Sequence, residues 1–393
     1  MQSFLQLVAH DLYAKIGNDL SRTALIFPNK RANLFFNEYL AGESDQPIWS
    51  PAAMSISDLF QKLSVQKSGD PIRLVCELYK VFKEETQSQE TLDDFYFWGE
   101  LLISDFDDVD KNMVDADKLF SNLQDLKNLM DDYEFLDKEQ EEAIQQFFQN
   151  FSIERRTELK EKFISLWDKL GTIYHHYREN LTELGIAYEG MLYRNVIEQL
   201  DTDQLKYDKY IFVGFNVLNK VENEFFRKLK DAGKALFYWD YDIFYTQQIR
   251  KHEAGEFLKR NLGEFPNELP ESFFDIFKEP KKIRYISAST ENAQARFLPE
   301  WIKMITDNHS QIAEEKEKEN AVVLCNEALL LPVLHSIPQE VKNVNITMGF
   351  PLAQTPVYSF INAAMELQTN GYRSDTGRFT YEAVSAILKH PYT

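Results

Sequence analysis

The stretch that most limits what this chain can fold into is residues 209–242, KYIFVGFNVLNKVENEFFRKLKDAGKALFYWDYD. Its ends, 209–214 and 235–239, are short apolar runs of the size expected for buried strands, and residues 219–231 between them read as a helix. A strand, a helix and a strand in so short a span imply a parallel pair joined by a crossover. The chain therefore contains an α/β sheet covered by helices.

The same alternation begins near the N-terminus. In RTALIFPNKRANLFFNEYLA (22–41) the run from Thr23 to Phe27 reads as a buried strand. Pro28-Asn29 ends it, because proline cannot continue a central ladder, and a helix follows. Residues 47–64 read as a loop and a short helix, with Ser55 or Ser57 as N-cap. From 70 to 200 the periodicity is almost wholly helical and glycine and proline are scarce. Strands are expected again at 283–287 (IRYIS) and 321–325 (AVVLC), with helices at 291–308 and around 353–368. The Glu-, Pro- and Phe-rich stretch near 253–282 reads as a linker. The expected fold is an α/β parallel-sheet domain split by a large helical insertion, followed by part of a second α/β domain. Its boundaries are 1–69 and 201–252 for the split domain, 70–200 for the insertion, 253–282 for the linker and 283–393 for the second domain. The last residues, YEAVSAILKHPYT, read as an element cut short, so that second domain is expected to be truncated.

Charge narrows the partners. With 63 acidic against 43 basic residues the net charge is −20, which opposes binding to a phosphate backbone except at local sites. The imbalance is uneven: residues 91–149 hold 17 acidic and 4 basic side chains. Such a stretch is either a solvated helical face or a surface for a basic partner. No run approaches the roughly 20 apolar residues of a membrane span, and the N-terminus lacks the pattern of a signal peptide. The two cysteines, Cys76 and Cys325, have no metal-ligand spacing. They read as free thiols of a cytoplasmic protein.

Several motifs bear on chemistry. The phosphate-binding pattern G-x-x-x-x-G-K-[ST] is missing, so ATP hydrolysis by these residues is not expected. Gly233-Lys234 reads as a helix C-cap before a strand. The E-x-K combinations Glu158-Leu159-Lys160 and Glu314-Glu315-Lys316 lie in helical or charged contexts unsuited to a metal nuclease. Asp240-Tyr241-Asp242 follows an apolar strand. Its two carboxylates either cap the next segment or hold a divalent metal under a nucleotide diphosphate, as in many glycosyltransferases. Asn29, Lys30 and Arg31 lie at a strand's carboxyl end where a helix starts, a position suited to phosphate, and read as a solvated turn or a nucleic-acid backbone contact. In SASTENAQ (287–294), Thr290 and Gln294 place polar groups at a second helix start after a strand. Trp98, Trp167 and His175-His176 sit on amphipathic helices and read as structural.

Taken in order, several spans resemble the helicase-like N-terminal half of AddB-type subunits of bacterial ATP-dependent helicase–nucleases, and more distantly RecC. TALIFPNKRANLFFNEYL resembles the segment after the first helicase strand, which in active relatives touches single-stranded DNA. SPAAMSISDLFQKL resembles the next DNA-facing segment, and FYFWGELLISDFDDVDKNMVDADKLFSNLQDLK the inserted helical domain. YIFVGFNVLNKVENEFF stands where helicases keep a magnesium-binding acidic pair, so Gly214, Phe215 and Asn216 would be a degenerate nucleotide site. LFYWDYDIFY, with Asp240 and Asp242, stands where they keep a Gly-Asp-x-x-Gln sensor. Further on, IRYISASTENAQARFLPEWI, AVVLCNEALLLPVLHSIP and NVNITMGFPLAQTPVYSFI resemble the start of a second motor domain. The resemblance implies a P-loop-NTPase- and helicase-like fold, serving as an inactive helicase scaffold in double-strand break repair. It would guide a DNA strand with Asn29, Lys30, Arg31, Thr290 and Gln294 in one cleft, beside an AddA- or RecB-like partner that hydrolyses ATP. No cofactor or metal is expected in these residues, and a nuclease domain with any iron–sulfur cysteines would lie further along. The residues alone leave two other functions open: a metal-dependent nucleotide-sugar transferase using Asp240 and Asp242, and a protein-interaction scaffold.

Overall fold

The computed structural model describes residues 2–120, 169–247, 253–305 and 320–393. Trp167, both E-x-K combinations and the acidic run beyond residue 120 lie outside the described residues. The chain forms two compact units, Met1–Pro280 and Lys281–Thr393.

The first unit is built on a four-stranded parallel sheet. Helix α1 (Phe4–Ile16) precedes β1 (Thr23–Phe27), and α2 (Ala32–Ala41) carries the chain to β2 (Ala52–Ser55). After α3 (Ile56–Leu63) and the helical insertion come β5 (Lys209–Val213), α8 (Lys220–Asp231) and β6 (Ala235–Tyr238). The order across the sheet is β2-β1-β5-β6, with Ile26 opposite both Met54 and Phe212. Every side chain of β1 is buried. Alternate residues divide between two cores: Ala24, Ile26, Tyr210, Phe212 and Phe237 on one face, Leu25, Phe27, Ile211, Val213 and Tyr238 on the other. The second face packs against Val8, Ala9 and Leu12 of α1 and Phe36 and Leu40 of α2. The first packs against Leu59 and Phe60 of α3 and Val221, Phe225 and Phe226 of α8. Each such side chain stabilises the fold by roughly 1.5–3 kcal/mol, offset in large part by ordering the chain.

The insertion leaves and re-enters through a small parallel ladder between β3 (Lys67–Ser68) and β4 (Ile186–Ala187). Its described helices are α4 (Pro71–Thr86), α5 (Leu92–Lys111), α6 (Leu170–Glu183) and α7 (Glu189–Gln199). Asp70 caps α4 through the backbone N–H groups of Ile72 and Arg73, and Pro71 supplies its first residue. Helices α5 and α7 approach so closely that a Cβ at Gly190 would run into the Asp107 carbonyl. At the centre lies Asp110, 0% exposed. Its carboxylate accepts from the Tyr174 hydroxyl at 2.7 Å and from the Tyr188 hydroxyl, and pairs with Arg178 and, at 3.3 Å, Arg194. Burial, reinforced by the Asp110 charge, pushes both phenols far above their ordinary value, which keeps them as donors.

Two expectations are corrected here. The stretch at 253–282 is largely not a linker: residues up to 280 belong to the first unit. Helix α10 (Glu253–Glu264) leads into Phe265, Leu269 and Phe274, all buried, and Phe265 stacks on Trp239 and packs against Phe237. Phe265 and Phe274 are core residues that cover the β6 edge. In the second unit, 283–287 and 321–325 form no strands. Among the described residues no neighbouring strand offers a ladder, and Tyr285 and Val323 remain 93% and 85% exposed. The described residues of that unit instead form helices α11 (Glu291–Arg296), α12 (Leu298–Ile305), α13 (Leu330–Ser336), α14 (Pro356–Thr369) and α15 (Tyr381–Leu388), with an antiparallel pair, β7 (Tyr372–Arg373) and β8 (Arg378–Phe379). Its described core is small, centred on Ala295, Leu298 and Val333.

Asp110→Ala would leave Arg178 and two buried phenols without their acceptor. It should cost about 3–5 kcal/mol, measured as a lower urea midpoint at unchanged slope.

Candidate nucleic-acid interface at the carboxyl edge of the sheet

From β1 the chain moves through α2 on one face towards β2, whereas from β5 it moves through α8 on the other face towards β6. The carboxyl ends of β1 and β5 therefore lie side by side at a topological switch point, where open α/β sheets bind ligands. The turn at residues 28–31 and the Gly214-Phe215-Asn216 turn emerge together there. Asp58 follows β2 and Asp240 follows β6 on the same edge. The sequence reading placed these residues apart along the chain, and the parallel register brings them to one edge.

Each turn has a distinct task. The Asn29 side-chain oxygen accepts from the backbone N–H of Arg31 at 3.1 Å and of Ala32 at 3.3 Å, fixing the start of α2. Lys30 Nζ lies 3.0 Å from Asp58 Oδ1. Asp58 Oδ2 accepts from the Ser55 hydroxyl at 2.8 Å and its N–H at 3.2 Å, completing a capping box on α3. The hydrogen bond from Lys30, followed by that from Ser55, holds the Asp58 carboxyl below its ordinary range. Arg31 is exposed and has no ion pair among the described residues. Its backbone is already helical at φ −72° and ψ −35°, so Leu34 and Phe35 stand one turn further along the same side. Both are exposed, while Phe36 and Leu40 take the core.

The turn after β5 carries no carboxylate at residues 214–216. Gly214 has φ +74°, a conformation suited to glycine, and its N–H donates to the Tyr238 carbonyl at 2.9 Å. This drives Phe215 into the core, edge-on to Phe226 at 5.4 Å. A carboxylate there would be buried without a partner. The Asn216 carbonyl accepts from the buried Asn261 amide at 2.6 Å.

The carboxylates of the D-x-D pair have separate roles. Asp242 Oδ1 accepts from the Phe244 N–H, capping the short helix α9 (Ile243–Thr246), and Oδ2 accepts from the N–H groups of Ile276 and Phe277, all at 2.8 Å. Both its oxygens are thus held by backbone. Asp240 is reached by solvent, yet the surrounding wall desolvates its carboxyl and raises it above the ordinary 3.8. Asp242 thus caps the following segment, one of the two roles the sequence left open for this pair. Among the described residues no group of three His, Cys, Asp or Glu side chains is placed to hold a metal ion.

Thr290 and Gln294 belong to the second unit. Thr290 accepts from the Ala293 N–H at 3.1 Å as the N-cap of α11, and Gln294 is exposed one turn on. The same unit contains Ser359 beside His390 at 2.9 Å. There, His390 Nδ1 accepts from the Tyr392 N–H, leaving the ring proton on Nε2, so this pair cannot take a proton from the serine. His175 Nε2 lies 2.8 Å from Asp117 and His176 Nδ1 2.6 Å from Glu85, with both rings half exposed. The Lys30–Asp58 pair was not legible in the sequence, because only the β1–β2 register makes the two turns neighbours.

No model of a known protein family matches this chain, and no curated protein matches it.

The two aspartates should respond differently to substitution. Asp242→Ala removes the acceptor of three backbone N–H groups and should cost about 1–3 kcal/mol. Because the native Asp240 carboxyl binds its proton more tightly than the unfolded one, it favours the fold below the ordinary value, and this is lost as pH rises through the raised value. Asp240→Asn should therefore match or exceed the parent in thermal midpoint near neutral pH, with the advantage fading towards about pH 4.

Proposed function

We propose that this chain is a non-hydrolytic, helicase-like DNA-handling module, which guides a single strand along the carboxyl edge of its sheet beside an ATP-hydrolysing partner subunit. The observation that carries this reading is the filling of the switch point. An amide- and cation-bearing turn, with Arg31 uncompensated by any carboxylate among the described residues, stands next to a position where Phe215 is buried. An edge of this kind is suited to contacting phosphates without hydrolysing them. The reading is also supported by the ordered resemblance of the spans to AddB-type subunits and by the helical insertion between β2 and β5. The net charge of −20 limits such contacts to a local path, so the affinity of the isolated chain for DNA is low.

Titration with a labelled oligothymidine at low salt tests this. The parent chain should bind weakly, with affinity falling as salt rises. Arg31→Ala should weaken binding and flatten the log–log salt slope by about 0.7, the loss of one phosphate contact, and adding Lys30→Ala should change it little further because Lys30 is paired with Asp58. Asp58→Asn keeps the capping oxygen but releases Lys30, so it should tighten binding. ATP turnover should stay at background with and without DNA. Binding that none of these substitutions changes would favour a protein-interaction scaffold.

A further inference from the structure

Helix α5 has two unlike sides. Phe95, Gly99, Phe106, Val109 and Asp110 are buried, whereas Phe97 and Leu101, one turn apart on the opposite side, are 65% and 43% exposed. Acidic residues border this apolar pair at both ends: Asp93 and Asp94 in the first turn, and Asp105 and Asp108 one and two turns beyond Leu101. Neither Asp105 nor Asp108 has an ion pair among the described residues, and the helix's one lysine, Lys111, is bound to Asp107 and Glu189. Burial, and then the Asp108 charge, raise the Asp105 carboxyl, as expected for crowded acids lacking a cation.

We propose that the side of α5 bearing Phe97 and Leu101 docks a basic amphipathic segment of another protein, whose apolar side chains cover this pair while its Lys or Arg residues meet Asp105 and Asp108. The pattern is an apolar centre with a charged rim, as in a binding hot spot. Its charge selects among occupants. Nucleic acid and an anionic membrane are repelled. A second copy related by two-fold symmetry would set acidic rim against acidic rim. This surface is distinct from the sheet edge, and neither depends on the other.

The probe is a labelled helical peptide built from Lys and Leu heptads, compared with a Glu and Leu peptide of the same length, by fluorescence anisotropy on the full chain. The Lys peptide should bind, and Phe97→Ala with Leu101→Ala should weaken it about tenfold or more. Asp105→Asn with Asp108→Asn should weaken it and reduce its salt dependence. The Glu peptide should bind at least about tenfold more weakly. Unchanged far-ultraviolet circular dichroism would show that the variants fold. Absence of binding, or binding that survives loss of Phe97 and Leu101, would overturn the proposal as mere attraction to an acidic protein. A self-associated species abolished by Phe97→Ala would also overturn it by assigning the face to a second copy.

Discussion

Strands β1 and β5 have no wet face. Phe27 and Val213 at their ends, and Ile26 and Phe212 beside them, are packed from above and below. A parallel pair buried on both sides must be covered by its own crossovers. That requirement puts α1 and α2 on one face and α3 and α8 on the other. It also leaves the strand ends as the only exits for polar groups. The turns after β1, β2, β5 and β6 lie together at the carboxyl edge of this sheet.

The insertion depends on a second constraint. The helices from β3 to β4 are gathered by a carboxylate, Asp110, shared among two phenols and two guanidinium groups. A buried charge of this kind adds little net stability compared with a well-packed apolar replacement, yet removing it alone is costly. Its partners come from α6, from α7 and from Tyr188 at the N-cap of α7, so the network couples the two halves of the insertion. Gly190 lets α7 close on α5 over the same spot.

Much of the sheet was legible because its strands are short apolar runs bounded by breakers: Thr23–Phe27, Lys209–Val213 and Ala235–Tyr238 all form. Strand β2 was not, since Ala52–Ser55 lacks any strand-like run and is held by the β1 ladder alone. The stretch after residue 253 misled for a related reason. Glutamate and proline suggest a linker, but Phe265 and Phe274 are there to seal the β6 edge. Conversely, 283–287 and 321–325 have strand composition without a ladder to join. At the site, residue types were readable and adjacency was not: Asn29, Lys30 and Arg31 sit on one turn as expected, whereas the neutralisation of Lys30 by Asp58 requires the fold. Asp110 was hidden because one aspartate in so acidic a helix gives no sign of being buried.

The central claim is that the edge formed by the turns after β1 and β5 contacts a DNA strand. Amide hydrogen exchange of the full chain, with and without oligothymidine at low salt, tests it most directly. Strand guidance at this edge predicts slower exchange confined to the amides of residues 29–35 and 214–217. Protection that appears only elsewhere, or none at saturating oligonucleotide, would contradict it.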